Sequence, residues 1–381
     1  MPGARIRPSL WLRALPELGI AAGSRVLTVG MAEEASVTAA LVGRGAEVVV
    51  ADWRASALRA AAEAGPPGAR SWPWDGTEDG AAPEAPFDHA LCDLARLPGR
   101  EAFLLAIRFA VRHLRPGGQL LVRGGNTEGI GGALTRLQSW FPVTATLALG
   151  GRGRILACNQ GGQSLPPPPE EDACTVELGG VRLELRRAAA VFNAGLPDAA
   201  THLLASAVAA DGAAWQSHPE SACDVGCGGG ALGLALLGLG AGACTLLDDS
   251  LIATRAAAAN AARNGAGDLA VPVAADATAG VPGGPFALVV CNPPFHTGPH
   301  EDRGLGEAVV RAAWEATTGR LYVVAPRFLR YERAVLELQE CAANATFRVL
   351  RAVRGAGRRP SAAEGTEPAG PARSRRTPRR R

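Results

Sequence analysis

Val289-Val290-Cys291-Asn292-Pro293-Pro294-Phe295-His296 decides how this chain is read. Residues 287–291 are an apolar run of strand length that halts at a double proline. Proline has no N–H to give to a ladder, and it drives the residue before it away from helical backbone angles. The chain therefore leaves the strand at once and sets Asn292, Pro293, Pro294 and Phe295 in an extended turn. An amide, freed backbone carbonyls and an aromatic face gather at the carboxyl end of a strand. In open α/β sheets that is where ligands bind.

Working outward, residues 222–226, 243–247 and 271–274 read as strands, with helical patterns at 231–238 and 250–264. A hairpin over 174–187, turning at Gly179-Gly180, and a helix over 198–210 precede them. Downstream, 305–316 and 331–343 read as helices, and 320–325 and 346–353 as strands. The first part of the chain has the same order. Strands are expected at 25–30, 46–51, 87–92, 119–123 and 155–158, and helices at 9–18, 33–44, 55–64 and 100–114. Strands alternating with helices of this length predict βαβ units and parallel sheet. Their recurrence predicts a tandem repeat. Four consecutive prolines, 166–169, favour a semi-rigid spacer between the copies. The expected domains are 1–165, a Pro-rich linker at 166–172, 173–355, and an Arg-rich tail at 356–381. That tail has too little apolar surface to fold.

A chain of 381 residues, 47% hydrophobic and 20% charged, is long enough for two full cores. Its net charge of +3 gives no strong global field towards nucleic acid. The sequence has no Lys, so its Arg content reflects composition as much as function. The Arg cluster at 373–381 has two readings: a phosphate-neutralising arm or a solvated tail. The eight cysteines lie mostly in apolar runs, as reduced core thiols do. Cys223 and Cys227 lack two further ligands at zinc spacing, so no metal is expected. No run of 18 apolar residues and no leader-like apolar stretch is present, which predicts a soluble, cytoplasmic protein with no membrane contact.

Asp224-Val225-Gly226-Cys227-Gly228-Gly229-Gly230 follows the strand at 222–226. Glycines in a strand–turn–helix let the backbone approach a ligand closely, and the helix start behind them offers free N–H groups. About twenty residues on, at the end of the next strand, stands Asp248, placed for a ribose hydroxyl. A nicotinamide dinucleotide would meet an acid inside the turn, and it gives no reason for Asn-Pro-Pro-Phe. The first copy has Thr28-Val29-Gly30-Met31-Ala32-Glu33-Glu34 at the same place, with one glycine and two acids. It keeps Asp52, but its fourth strand ends Cys92-Asp93-Leu94. It reads as a copy that has lost its site.

An exocyclic amine on a planar base is a poor nucleophile, because its lone pair is delocalised into the ring. Accepting both amine hydrogens, at the Asn292 side-chain oxygen and the Pro293 carbonyl, would turn that lone pair out of the plane. Phe295 could stack on the base. A methyl sulfonium held by the glycine turn would then lie in line, and catalysis would be positioning and electrostatics. A base in a helix would first have to be flipped out. His296 either touches substrate or caps the turn. His300 and Glu301 are on a loop able to cover the site, with Gly298 and Gly304 as pivots.

On Val191-Phe192, Asp224 to Gly230, Asp248, Asp276 and Asn292-Pro-Pro-Phe-His-Thr-Gly298, the second half resembles class I S-adenosylmethionine-dependent methyltransferases. More narrowly, it resembles bacterial ribosomal RNA guanine-N2 methyltransferases, those of the methyltransferase C type that act on the small subunit and their large-subunit relatives. The first half matches more loosely, through its topology and Gly124-Gly-Asn126-Thr-Glu-Gly129-Ile130. The resemblance implies two tandem Rossmann-like α/β methyltransferase domains, the N-terminal one degenerate. It implies that Asp224, Gly226 and Gly228 line the methionine end of S-adenosylmethionine, with Asp248 at the ribose and Asp276 at the adenine amine. Asn292 borders the cofactor and, with Pro293, holds the target amine; Phe295 stacks, and Phe192 closes over the site. The expected partner is ribosomal RNA or a ribosomal subunit, bound by a monomer, with 16S RNA foremost. Alternatives are a large-subunit guanine, adenine N6 in nucleic acid, glutamine N5 in protein, or a non-catalytic RNA-binding factor. The chain departs from the family after 354, where Gly355-Ala-Gly-Arg-Arg-Pro360 stands in place of a closing antiparallel strand.

Overall fold

The computed structural model of the protein describes residues 9–354 apart from 79–85, 98, 143, 151–152, 169–170, 213–217, 295, 298–299 and 302. Phe295 and the tail at 356–381 therefore lie outside the described residues.

Seven strands of the first half form one sheet: β1 (Arg25–Val29), β2 (Glu47–Asp52), β3 (Ala69–Pro73), β4 (Phe87–Asp93), β5 (Leu114–Gly125), β6 (Thr144–Gly150) and β7 (Gly153–Asn159). Their order is β3-β2-β1-β4-β5-β7-β6. Helices α1 (Leu10–Ala14), α2 (Ala35–Gly43), α3 (Ala55–Ala64), α4 (Gly99–His113) and α5 (Ile130–Trp140) accompany it. A hairpin, β8 (Ala173–Leu178) and β9 (Val181–Arg186), opens the second half.

The second sheet comprises β10 (Ser221–Val225), β11 (Ala243–Asp248), β12 (Ala270–Ala274), β13 (Phe286–Cys291), β16 (Thr317–Pro326), β17 (Gln339–Ala343) and β18 (Phe347–Val353). Its order is β12-β11-β10-β13-β16-β18-β17, position for position that of the first. Between β13 and β16 a two-rung antiparallel hairpin intervenes, β14 (His296–Thr297) and β15 (His300–Glu301). Helices α6 (Ala199–Gly212), α7 (Ala231–Gly238), α8 (Leu251–Arg263) and α9 (Arg303–Glu315) complete the half. Val289, Val290 and Cys291 are fully buried, as a central parallel strand covered on both faces requires. α8 starts at Ser250, whose Oγ accepts the Ala253 N–H, and stops before Gly265 at φ +66°.

Three expectations are corrected. β3 and β6 were not foreseen; both lie at edges, and β3 (Ala-Arg-Ser-Trp-Pro) has no apolar run. The helix expected over 331–343 is a 3₁₀ turn, Tyr331–Arg333, followed by β17. Arg348 explains the change: its buried guanidinium bonds both oxygens of Glu332, at 2.6 and 2.7 Å, and pins the turn against β18. The sheet does have its closing antiparallel strand pair, because β17 pairs β18 and β18 pairs β16.

The two halves meet through a repeated contact. After β2, Ala55 N–H donates to the Asp249 carbonyl; after β11, Leu251 N–H donates to the Trp53 carbonyl, both at 2.8 Å. Counted from Asp52 and Asp248, Ala55 corresponds to Leu251 and Trp53 to Asp249. Each bond is thus the other's counterpart, and Arg54 and Ser250 form the antiparallel bridge between them. Ile252 is buried in the core cluster of the first half.

Candidate active site

The carboxyl ends of β12, β11, β10 and β13 lie side by side. Asp248 is opposite Ala274, Val225 opposite Leu247 on one side and opposite Cys291 on the other. This register brings Gly226, Gly228, Asp248, Asp276, Asn292 and Pro293 to one edge of the sheet. Gly226 and Gly228 have φ of +81° and +53°, open to glycine and strained for other residues. A Cβ on Gly226 would stand 3.8 Å from the Asn292 carbonyl, and one on Gly228 the same distance from Val191. Side chains there would narrow the space between the glycine turn, the Asn-Pro-Pro turn and the Phe192 segment.

Asp248 Oδ2 accepts the Gly228 N–H at 2.9 Å, and Oδ1 accepts that of Ser250 at 2.8 Å. Burial raises its pKa, against those two bonds. Asn260, fully buried on α8, donates to the Gly229 carbonyl at 2.8 Å while its oxygen accepts from Arg186 of β9. It ties the glycine turn to the hairpin.

Asp224 is placed differently from a cleft residue. It is buried, and Oδ2 accepts the Gly233 N–H inside α7 at 2.9 Å. Gly233 allows this approach, since a Cβ there would lie 2.2 Å from Leu246 and 3.2 Å from the Asp224 Cβ. Asp224 thus joins strand to helix beneath the turn. Burial pushes its carboxyl up to about 7, with Asp248 adding to the rise and the Gly233 bond opposing it. A folded-state pKa above the unfolded one gives stability that is full below the ordinary carboxylate range and is lost as pH rises through about 7. Asp224→Asn keeps an acceptor for Gly233. It should abolish this dependence, so that wild type minus variant stability falls by up to a few kcal/mol between about pH 4 and 7. Urea denaturation across that range would measure it, and parallel curves would refute it.

The Asn292 amide is half-buried, and Nδ2 donates to Asp198 Oδ1 at 3.3 Å and Thr201 Oγ1 at 3.1 Å. A carboxylate only accepts, so the nitrogen must face Asp198 and Oδ1 is the opposite end. Asp198 also takes the Thr201 N–H and hydroxyl at 2.8 and 2.7 Å, at the start of α6. Asp198, Thr201 and Asn260 are the supports that sequence reading missed; a capping pattern, Asp-x-x-Thr, was the available signal. Asp198→Ala should cost about 1 kcal/mol as a lost cap and lower turnover more than a cap alone explains. Thermal melts and initial rates together would check this. Activity falling only in step with folded fraction would count against an orienting role.

Phe192 lies on a turn, Phe192–Gly195, and is 73% exposed. Ala190, Asn193 and Ala194 there have φ of +64°, +47° and +54°, unusual for residues with a Cβ. Gly195 lies directly against Gly229. For His296 the backbone is described, in β14 immediately after the Pro-Pro turn.

The first half has the same edge, filled by its own side chains. Buried Asp52 accepts the Ala32 N–H at 3.1 Å, as Asp248 accepts that of Gly228. It is then covered by Arg54, which bonds both its oxygens and reaches Glu33 at 2.7 Å. Arg96 joins Glu33 and Glu34, and Trp53 presses on Gly30. Asp93, the counterpart of Asn292, is sealed by Trp11 at 3.0 Å and Arg123 at 2.9 Å.

Such a sheet order, with one glycine turn open and its copy plugged, fits an S-adenosylmethionine-dependent methyltransferase with a degenerate N-terminal domain, and the comparisons with known proteins show that class. Residues 182–351 match the family model "Methyltransferase small domain". Ribosomal RNA small subunit methyltransferase C of Marinomonas sp. (strain MWYL1) is 30% identical over 252 residues, 64% of this chain and 70% of that protein. This chain belongs to that methyltransferase C family. Ribosomal RNA large subunit methyltransferase G of Ectopseudomonas mendocina (strain ymp) is 33% identical over 227 residues, 55% of this chain and 56% of that protein. The solved structure of the T. thermophilus 16S rRNA N2 G1207 methyltransferase (RsmC) in complex with AdoMet and guanosine superposes with a TM-score of 0.76. It covers 93% of this chain and 94% of its own, and at 23% identity the likeness is one of fold.

Proposed function

We propose that the protein methylates the N2 amine of a guanine in ribosomal RNA, foremost 16S RNA of the small subunit, as a cytoplasmic monomer. The observation that carries the reading is the orientation of Asn292. Asp198 and Thr201 hold Nδ2, which leaves Oδ1 as the acceptor an amine needs. The Marinomonas relative supports the small-subunit substrate.

S-adenosylmethionine supplies an electrophilic methyl group on a sulfonium. Gly226 and Gly228 give it room at the turn; Asp248 and Asp276 offer acceptors for its ribose and adenine amine. Asp224 acts from below, fixing the turn against α7. Asn292 Oδ1 and the Pro293 carbonyl accept the two N2 hydrogens, directing the nitrogen lone pair out of the base plane. Phe295 and Phe192 supply aromatic faces for the flipped base, and His296 borders it. The amine proton is released to solvent after transfer. Residues 1–165 are the degenerate domain, 166–172 the linker, 173–355 the catalytic domain and 356–381 an Arg-rich tail.

The test is methyl transfer from labelled S-adenosylmethionine to free ribosomal RNA, isolated subunits and protein. Label recovered as N2-methylguanosine is expected. Label only in protein, or none with any substrate, would end the proposal. The resemblance to large subunit methyltransferase G favours one alternative, the same modification in large-subunit RNA; offering the two subunits separately distinguishes them.

A further inference from the structure

Asp276 follows β12 and opens an Asp-Ala-Thr turn: Oδ1 accepts the Thr278 N–H at 2.9 Å and its hydroxyl at 2.6 Å. Its other oxygen, Oδ2, is bonded by Arg59, which comes from α3 in the other half of the molecule. Next to it, Asp249 accepts the Ser56 N–H and hydroxyl, both at 2.6 Å. One helix of the degenerate half therefore touches the acidic residues after both β11 and β12.

The first half contains the counterpart. Asp75 follows β3 as Asp276 follows β12, and Oδ1 accepts the Thr77 N–H at 3.0 Å and hydroxyl at 2.7 Å. Arg255 corresponds to Arg59, and its Nε donates at 3.0 Å to the Asp75 backbone carbonyl. Arg59 reaches the carboxylate of the Asp after its facing strand, whereas Arg255 meets only the backbone of Asp75 and pairs with Glu171 at 3.8 Å. The Asp276 side chain is 14% exposed and that of Arg59 47%, so the guanidinium approaches from the solvent side.

We infer that Arg59 is a positioning residue for the cofactor: it holds the Asp276 carboxylate in the plane in which Oδ2 also receives the adenine amine. The degenerate half thereby sets affinity for the adenosine end of the cofactor while touching neither methyl group nor base. A carboxylate oxygen has two acceptor directions, so Arg59 and an amine can share Oδ2. Thr278 holds Oδ1 and Arg59 holds Oδ2, so removing Arg59 leaves the carboxylate fixed at one oxygen only and loosens the one that faces the amine. The inference rests on the cofactor reading of Asp276 given above.

The experiment is calorimetric binding of S-adenosylhomocysteine and of S-inosylhomocysteine, which has a carbonyl in place of the adenine amine, to the full chain. Arg59→Ala should weaken S-adenosylhomocysteine about three- to tenfold and leave S-inosylhomocysteine, already weak, unchanged. Arg59→Lys should recover part of the loss. The kcat at saturating S-adenosylmethionine should match wild type while its KM rises. Equal weakening of both ligands would mean a merely structural contact and overturn the inference; so would unchanged S-adenosylhomocysteine affinity. If Arg59→Ala is poorly folded, Arg59→Gln answers the same question. Wild-type protein that fails to bind S-adenosylhomocysteine overturns the cofactor reading itself, a result distinct from a selective failure at Arg59.

Discussion

Asn292→Ala is expected to lower methyl transfer at least about a hundredfold, the scale on which one oriented polar group acts in a transition state. S-adenosylhomocysteine affinity should stay within about threefold of wild type, under 1 kcal/mol. In the proposed site Asn292 also borders the cofactor, but what the amide would offer the amine is Oδ1, the end opposite the Nδ2 that Asp198 and Thr201 hold. Deleting the amide removes the acceptor and leaves Gly226, Gly228 and Asp248 in place. Single-turnover transfer to ribosomal RNA and calorimetry on the same preparation separate the two quantities. Near-wild-type transfer would remove Asn292 from the reaction, and lost cofactor binding would make its role that of a cofactor ligand.

Gly229→Ala should have the next largest effect, for a steric reason. A Cβ at Gly229 would lie 2.2 Å from the Gly195 carbonyl oxygen and 2.9 Å from its carbon. These are backbone atoms, so no rotamer change relieves the clash. The turn at 192–195 must lift from the glycine turn or the fold must yield. The expected destabilisation is about 1–3 kcal/mol, as for other overpacked sites, and cofactor affinity should drop at least about tenfold because both walls of the cleft move. Gly267→Ala, with nothing within 4 Å of the added atom, is the matched control and should be neutral. Thermal denaturation with and without S-adenosylhomocysteine reads both effects. A Gly229→Ala protein as stable and as responsive as the control would show that the two turns are free to separate.

The central strands were legible because parallel strands buried on both faces are apolar runs, and three of the second half's end at an acid or at Asn292. Edges were harder. β3 holds Arg70, Ser71 and Pro73, and the helical spacing of Tyr331, Val335 and Leu338 hid an edge partner for β18. In the site, Gly226, Gly228, Asp248 and Asn292 are grouped as expected because local chain geometry carries them there. Asp198 and Thr201 escaped notice because they stand 94 and 91 residues from Asn292 and act through its amide. Asp224 misled for the opposite reason. The Asp-x-Gly pattern marks the turn, but the strand's alternation aims that carboxylate at α7. Arg59 could be found only from the fold, since nothing in α3 announces a residue 217 positions away.

The paired bonds at Ala55–Asp249 and Leu251–Trp53 have the form of an isologous interface, in which each surface serves as its own complement. Two identical protomers related by a two-fold axis would join this way. The chain is thus built as a dimer written on one polypeptide, with one centre kept and the other filled in. Covalent linkage makes that assembly independent of protein concentration. It also frees the two sides to diverge: Asp75 and Arg255 can change to tune adhesion alone, whereas Asp276 and Arg59, in their proposed role, carry adhesion and cofactor placement together.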